Sequence, residues 1–352
     1  MYGSICAREL TDKGYRCLVI DNRNHIGGNC YTEKIDGINV HMYGPHIFHT
    51  TNKMIWEYMN KFCKFNDYRF KIKANFNGTV YQFPINLSTL TQVFGSDVVS
   101  DKTIHSHINN LEDYSTSKFG VTLYEMFIKG YSSKQWNRSP RNLPISIIKR
   151  LPDIRNNYND DYYDDKYQGI PIGGYTQIFQ KLLDGIEVRL NVDYFNHRQY
   201  FTSVAKTIIY TGMIDKFYDY KYGKLEYRSL KFETERLEIP QHQSTSVVNY
   251  TDVKIPYTRI IEHKHFEMLN LQHTIITREY PEDYIELKNS PYYPINDTTN
   301  SEIYKKYHDL AILEPSMIFG GRLGSYQYYD MHQVVGAALH VTSKIPIKLC
   351  KN

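Results

Sequence analysis

Apolar positions recur along this chain in two rhythms, and the change from one to the other divides it. "YRCLVID" (15–21) is a short unbroken apolar run ending in an acid, which predicts a buried strand. Residues 3–14 before it predict a helix stopped at Gly14. Helical spacing returns in 53–63, with apolar residues at 54, 55, 58, 59 and 62. "FKIKANFNGTVYQFPI" (70–85) alternates around Asn77-Gly78, the pair that favours a tight hairpin turn. From 86 to 150 apolar residues lie three and four apart, predicting a small helical domain. The polar, acidic stretch 152–166 has no period and is expected to be a mobile loop. A helix is expected over 173–185 and a strand over 206–212. Four β-rich runs within 227–277 predict an antiparallel sheet. A last strand (316–324) runs into glycines, and a helix follows over 330–345 with Asp330 as N-cap. No internal repeat is visible.

Composition narrows the class. The chain has 352 residues, enough for two or three domains. With 41% hydrophobic and 23% charged residues it reads as a soluble globular protein, expected in the cytoplasm. The net charge of +4 is scattered, and no Lys/Arg block suggests a nucleic-acid partner. No window holds 18 apolar residues, so no membrane span is expected. The start has no charged stretch followed by an apolar one, so no secretory signal is read there. Five cysteines, Cys6, Cys17, Cys30, Cys63 and Cys350, lack metal-site spacing and suit a reducing compartment. Tyrosine is abundant at 33 residues, so each tyrosine needs a specific context before it is given a role.

The candidate chemistry clusters in turns. Gly3 opens a helix and Asp21 ends the next strand, about 20 residues on, the spacing of a dinucleotide site. There a helix N-terminus and its free N–H groups favour a pyrophosphate. An ordinary helix and strand would look the same. "HMYGPHIFHT" (41–50) carries His41, His46 and His49, but no acid or cysteine completes a metal set, so no metal is expected. A histidine turn lying against a planar ligand fits better. Tyr131 and Trp136 in "GYSSKQW" are either core aromatics or a stacking platform. Arg150, beside the acidic loop, and Arg259 are either solvated cations or forks for a phosphate. Tyr293, Arg322, Tyr328 and Asp330 lie in turns, where tyrosines are less often core. No G-x-S-x-G and no carboxylate pair at helical spacing signals acyl or glycosyl hydrolysis.

Taken in order, "VIDNRNHIGGN", "HMYGPHIFHT", "IKGYSSKQW", "YQGIPIGGY", "LEYRSLKFETE", "NYTD", "PYTRIIEHKHF", "REYP", "PYYPIND" and "FGGRLGSYQYYDMHQV" resemble the prokaryotic-type UDP-galactopyranose mutases, from residue 3 to about 340. The resemblance implies an α/β + α + β fold. A discontinuous, Rossmann-like FAD-binding domain would take 1–65, 186–222 and 315–352. A helical domain would take 86–150. A six-stranded antiparallel sheet domain would take 66–85, 151–185 and 223–314, with the mobile loop 152–166. It implies an isomerase that interconverts UDP-galactopyranose and UDP-galactofuranose with reduced FAD, through a covalent bond between flavin N5 and galactose. The cofactor would do the covalent work while the protein positions and stabilises. NAD(P)H is the kind of reductant implied, and a homodimer is implied without a readable interface.

By the same resemblance Gly3, Asp21, Gly28, Asn29, His46 and Ile47 would contact FAD from one end of the chain. Arg322, Met331, His332, Gln333 and Val334 would contact it from the other. Tyr131 would stack on uracil, with Trp136 near it. Arg150 would close over the diphosphate and Arg259 would be its static partner, the two forming with His46 the catalytic set. Tyr162, Tyr293 and Tyr328 would donate to the diphosphate, with Tyr158 competing for the place of Tyr162. Asn249 and Asp330 would be further polar positions.

One departure stands out. Proteins of this kind carry a strand and a V-G-x-G-x-x-G turn before the position of Gly3, and only the last glycine is present here. That strand would be central, so its loss exposes two neighbouring edges. The expectation favours a true start upstream over a chain that binds FAD poorly. Two alternatives stay open: a flavin-dependent oxidoreductase of the amine-oxidase type, and an inactive remnant that still binds a UDP-sugar.

Overall fold

The computed structural model describes residues 1–95 and 101–348. Cys350 lies outside the described residues, as do short stretches of the expected helical and FAD-binding domains.

A seven-stranded sheet carries the centre of the molecule. From one edge its strands are Tyr293–Pro294, Tyr227–Leu237, Thr274–Asp283, Arg259–Glu262, Val247–Tyr250, Ile72–Phe76 and Thr79–Phe83. The sheet is mixed rather than wholly antiparallel, which corrects the expectation: Val247–Tyr250 runs parallel to Ile72–Phe76. The hairpin 72–83 comes from far earlier in the chain and adds to an edge the later strands leave open, so no tight turn dictates its direction. Its own turn is the expected one: Asn77 and Gly78 both have positive φ, 50° and 82°, as a type I′ turn needs.

The register of this sheet builds a row. Glu279 pairs with Arg259, Arg259 with Asn249, and Asn249 with Ala74. Residues directly opposite on neighbouring strands share a face. The carboxylate, the guanidinium, the amide and a small methyl therefore stand side by side across four strands.

Helices cover one end of the sheet. Leu87–Phe94 and Leu111–Phe119 are capped by Asn86 and Asn110, whose side chains accept from Thr89 N and Asp113 N. Val121–Leu123, a π-helical segment Tyr124–Lys129 and Gly130–Trp136 then follow without a break. Leu111, Phe119, Leu123, Phe127 and Ile128 bury against Phe70, Ile72, Phe83 and Val247 of the sheet region.

The nucleotide-type half has two parallel strand pairs, Leu18–Ile20 with Glu187–Arg189 and Ile208–Tyr210 with Met317–Phe319. The described residues place no hydrogen-bonded strand between them. Helix Tyr2–Asp12 packs on both pairs and on Met331–Ser343. Ile5, Cys6, Phe48, Met59, Val335 and Ala338 form the core there. Helix Thr176–Leu182 is shorter than its pattern suggested and buries Ile178, Phe179 and Leu182 in this core, not under the sheet.

Two features differ from the sequence reading. Thr298–Ile312 is a 15-residue helix where only sheet was expected. It buries just Asn300 and Tyr307, so its apolar stripe is too thin to announce itself. The stretch 152–166 is tied down in this structure: Arg155 N donates to Ile85 O, Tyr162 N to Phe70 O, and Leu87 N to Asn157 O.

Candidate active site

A cleft of about 730 Å³ lies between the sheet, the helices and the nucleotide-type half. It collects residues from every part of the chain: Asn29, His46 and Ile47; Tyr131, Trp136 and Arg150; Tyr162; Asn249 and Arg259; Tyr293, Arg322, Tyr328, Asp330, Met331 and His332. The expected residues outside its lining are Gly3, Asp21, Gly28, Gln333 and Val334. Of the two competing tyrosines, Tyr162 lines the cleft, while Tyr158 is 69% exposed.

Cations and phenols converge at one wall. The Arg150 guanidinium carbon is 3.7 Å from the Tyr328 ring centre, and Arg322 is 4.7 Å from the same ring. Arg150 Nη2 reaches Asp330 Oδ1 at 2.5 Å. Tyr293 and Tyr328 have ring centres 5.0 Å apart, with Trp136 6.4 Å from Tyr293. Arg259 Nη2 is 2.8 Å from Glu279 Oε2, a fully buried carboxylate. Burial raises the pKa of Tyr131 and Tyr293, and pushes Tyr162 up to about 12. These phenols therefore stay neutral and keep an O–H to donate.

The histidine turn is set by a chain of hydrogen bonds. His41 N donates to His263 Nδ1 at 3.2 Å, and His46 N donates to His41 Nδ1 at 3.1 Å. His46 Nδ1 lies 2.8 Å from Gly44 O, so that nitrogen carries the proton. Burial pulls the His46 pKa down to about 4 and that of His263 to about 3. His41 stacks on Phe266 and His49 pairs with Asp165, so the three histidines of the turn point to different partners. Among the described residues no group of His, Cys, Asp and Glu could hold a metal.

A glycine turn stands behind the cleft residue Asn29. Gly27 and Gly28 turn with φ of 94° and 56°, and a Cβ on Gly28 would meet nothing within 4 Å. Asp21 Oδ1 accepts from Arg23 N, and Asn29 Oδ1 accepts from Arg23 Nη2. Arg23 Nη1 and His332 Nδ1 are buried without a protein partner. Buried polar atoms are normally paired, so the orphan on His332 in the lining, and the one on Arg23 behind Asn29, each fit a ligand that supplies a partner. Gln333 closes the capping box with Asp330, Val334 packs in the core, and Gly3 sits in the first helical turn.

Some residues of the site carried no sequence signal. His49 has no role of its own in the sequence beyond its place in the histidine turn, yet it lines the cleft and stacks on Tyr163 at 3.6 Å. Glu279 reads as an ordinary strand acid inside "REYP". Only the register of the sheet reveals what it faces.

Fold and cleft together define an α/β protein with a cationic, phenol-rich small-molecule site. A family model described as UDP-galactopyranose mutase matches residues 126–328, and one described as an NAD(P)-binding Rossmann-like domain matches 1–62. A dTDP-fucopyranose mutase of Escherichia coli is 38% identical, over 96% of this chain and 94% of that protein. A probable UDP-galactopyranose mutase of Klebsiella pneumoniae is also 38% identical, over 96% and 90%. A Mycoplasma pneumoniae UDP-galactopyranose mutase is 30% identical, over 96% and 92%. A crystal structure of reduced UDP-galactopyranose mutase shares the fold, with TM-score 0.73 and 15% identity over 97% of this chain and 92% of that one. A putrescine oxidase shares it more loosely, with TM-score 0.55 and 10% identity over 97% and 96%. The chain belongs to the UDP-galactopyranose mutase family, a family of isomerases.

Proposed function

We propose that this protein interconverts UDP-galactopyranose and UDP-galactofuranose, with reduced FAD as its cofactor. What carries the reading is the wall where Arg150, Arg259, Tyr162, Tyr293 and Tyr328 meet in one cleft. A diphosphate is a leaving group whose charge grows as its bond to the sugar breaks. Guanidiniums and neutral phenols stabilise that charge and hold the diphosphate for re-attack. Tyr131 and Trp136 offer flat faces to a base and a sugar. Asn29, His46, Arg322, Met331 and His332 would hold the cofactor, whose reduced ring supplies an electron-rich nitrogen for the anomeric carbon. Neutral His46 keeps one ring nitrogen free to accept a hydrogen bond there. The four cysteines among the described residues are unpaired, which suits a reducing compartment.

A second substrate has support of its own. The relative named for dTDP-fucopyranose is as similar to this chain as the one named for UDP-galactopyranose, both at 38%. The deciding experiment supplies FAD and dithionite, then offers UDP-galactopyranose and dTDP-fucopyranose separately, with products separated by HPLC. Formation of the UDP-furanose, absent without flavin, is the expected result. Furanose from the fucose donor alone transfers the reading to that substrate. Oxidised product would point to an amine-oxidase-like activity, and UDP binding without turnover to a remnant.

A further inference from the structure

One half-buried cation takes no part in the chemistry above. Lys134 lies in the helix Gly130–Trp136, three residues after Tyr131 and two before Trp136. Its Nζ donates to four backbone carbonyls: Tyr250 O at 2.7 Å, Asp252 O at 2.8 Å, Ile255 O at 2.9 Å and Tyr257 O at 3.0 Å. Tyr250 is the last residue of the strand Val247–Tyr250, and the other three lie in the connection that runs from it to Arg259. An ammonium has three N–H groups, so one of them is shared. Within the connection Tyr250 N donates to Thr258 O and Ile255 N to Asp252 O, which bends the chain round the lysine. Burial draws the Lys134 pKa down to about 8, and the negative charge of Asp252 opposes that draw.

Two close approaches bring the same elements together. A Cβ on Gly130 would run into the Thr251 carbonyl oxygen, so helix and connection touch backbone to backbone. Thr251 Oγ1 donates to Met126 O at 2.6 Å, one turn earlier.

We propose that Lys134 is a positioning residue for the substrate site, a charged staple that fixes Tyr131 and Trp136 on their helix against the Asn249–Arg259 turn of the sheet. It acts through backbone carbonyls and touches no substrate. The inference deepens the nucleotide-sugar reading and rests on it for the ligand used below. Removing the ammonium leaves four carbonyls without their shared donor and frees the helix end to drift. The base platform and the static arginine then lose their spacing.

Trp136 reports on this directly. The chain has two tryptophans, so Trp56→Phe makes Trp136 the only one. In that background Lys134→Met is expected to raise acrylamide quenching of Trp136 in the free protein by about twofold, and the UDP dissociation constant in calorimetry by about tenfold. KM is expected to rise far more than kcat falls. Lys134→Ala with added propylammonium should recover both readouts in part, which loss of packing alone would not allow. Should Lys134→Met fail to fold, Lys134→Gln, whose amide keeps two N–H donors, takes its place with smaller shifts of the same sign. A folded variant with unchanged quenching and unchanged UDP affinity overturns the proposal. If the wild-type chain binds no UDP, the nucleotide reading fails, and the quenching comparison still decides the staple.

Discussion

The guanidinium of Arg150 lies over the ring of Tyr328, its carbon 3.7 Å from the ring centre, and its Nη1 donates to the Tyr328 carbonyl at 3.3 Å. The same side chain reaches Asp330, which also caps the helix Met331–Ser343. Arg150 is thus already parked at the wall a diphosphate would use, with a carboxylate in the anion's place. A phosphate has to displace that carboxylate. Asp330→Asn keeps a good helix cap and removes the competing charge. UDP is expected to bind the Asp330→Asn variant about threefold more tightly by calorimetry. Weaker binding would show that Asp330 assists the anion.

Arg150→Lys tests the fork itself. An ammonium is a point charge, and it cannot bridge two phosphate oxygens. Turnover by HPLC is expected to drop about a hundredfold, the scale of one lost donor to a developing charge. The melting temperature should barely change, because the arginine side chain is 38% exposed. Near-normal turnover would remove Arg150 from the reaction.

The histidine chain gives stability a pH dependence with a definite sign. His46 and His263 have folded pKa values of about 4 and about 3, and that of His41 lies well below its ordinary 6.5, all by burial. Once the pH falls below about 6.5, the unfolded chain binds protons that the folded chain refuses. Asp215 works the other way, because burial raises its pKa to about 6 and the folded state takes up its proton first. His332 is also lowered by burial, so four histidines against one carboxyl leave a net loss. Stability should fall by about 1.4 kcal/mol per pH unit for each net proton between pH 6.5 and 4.5. Urea midpoints across that range give the slope, and His263→Gln should flatten it. A midpoint that does not move with pH would mean these rings are protonated in the fold.

The limits of the sequence reading follow the same physics. Local rules found what local rules determine: the Asn77-Gly78 turn, the Asp330 cap, and the run of helices ending at Arg150. Motif order brought Tyr131, Arg259 and Tyr328 to one cleft, although they are far apart in the chain. Glu279, His263 and Lys134 were illegible, because their importance lies in what they face across the fold. A strand glutamate, a strand-end histidine and a helix lysine are by default surface residues. The helix Thr298–Ile312 was missed for the opposite reason, being polar nearly all round and held by a cap and one buried tyrosine.

Glu279 offers the sharpest test of the row across the sheet. It is fully buried, and Arg259 is the cation beside it. Gly44 closes the space above: a Cβ there would lie 3.2 Å from Glu279 Oε2. Burial opposes the charge of Arg259, and the carboxylate outweighs burial, so the arginine stays ionised. Without an anionic ligand that carboxylate is the near charge that balances it. Glu279→Gln is close in shape but leaves the guanidinium uncompensated, which costs about 3 kcal/mol for a buried pair. An arriving diphosphate restores the balance in the variant and merely adds to it in the wild type. The free Glu279→Gln protein should therefore melt several degrees lower than wild type, and saturating UDP should raise its melting temperature by more than it raises that of the wild type. Equal shifts would mean that the bound nucleotide does not sense Arg259, and the static arginine would lose its assigned place.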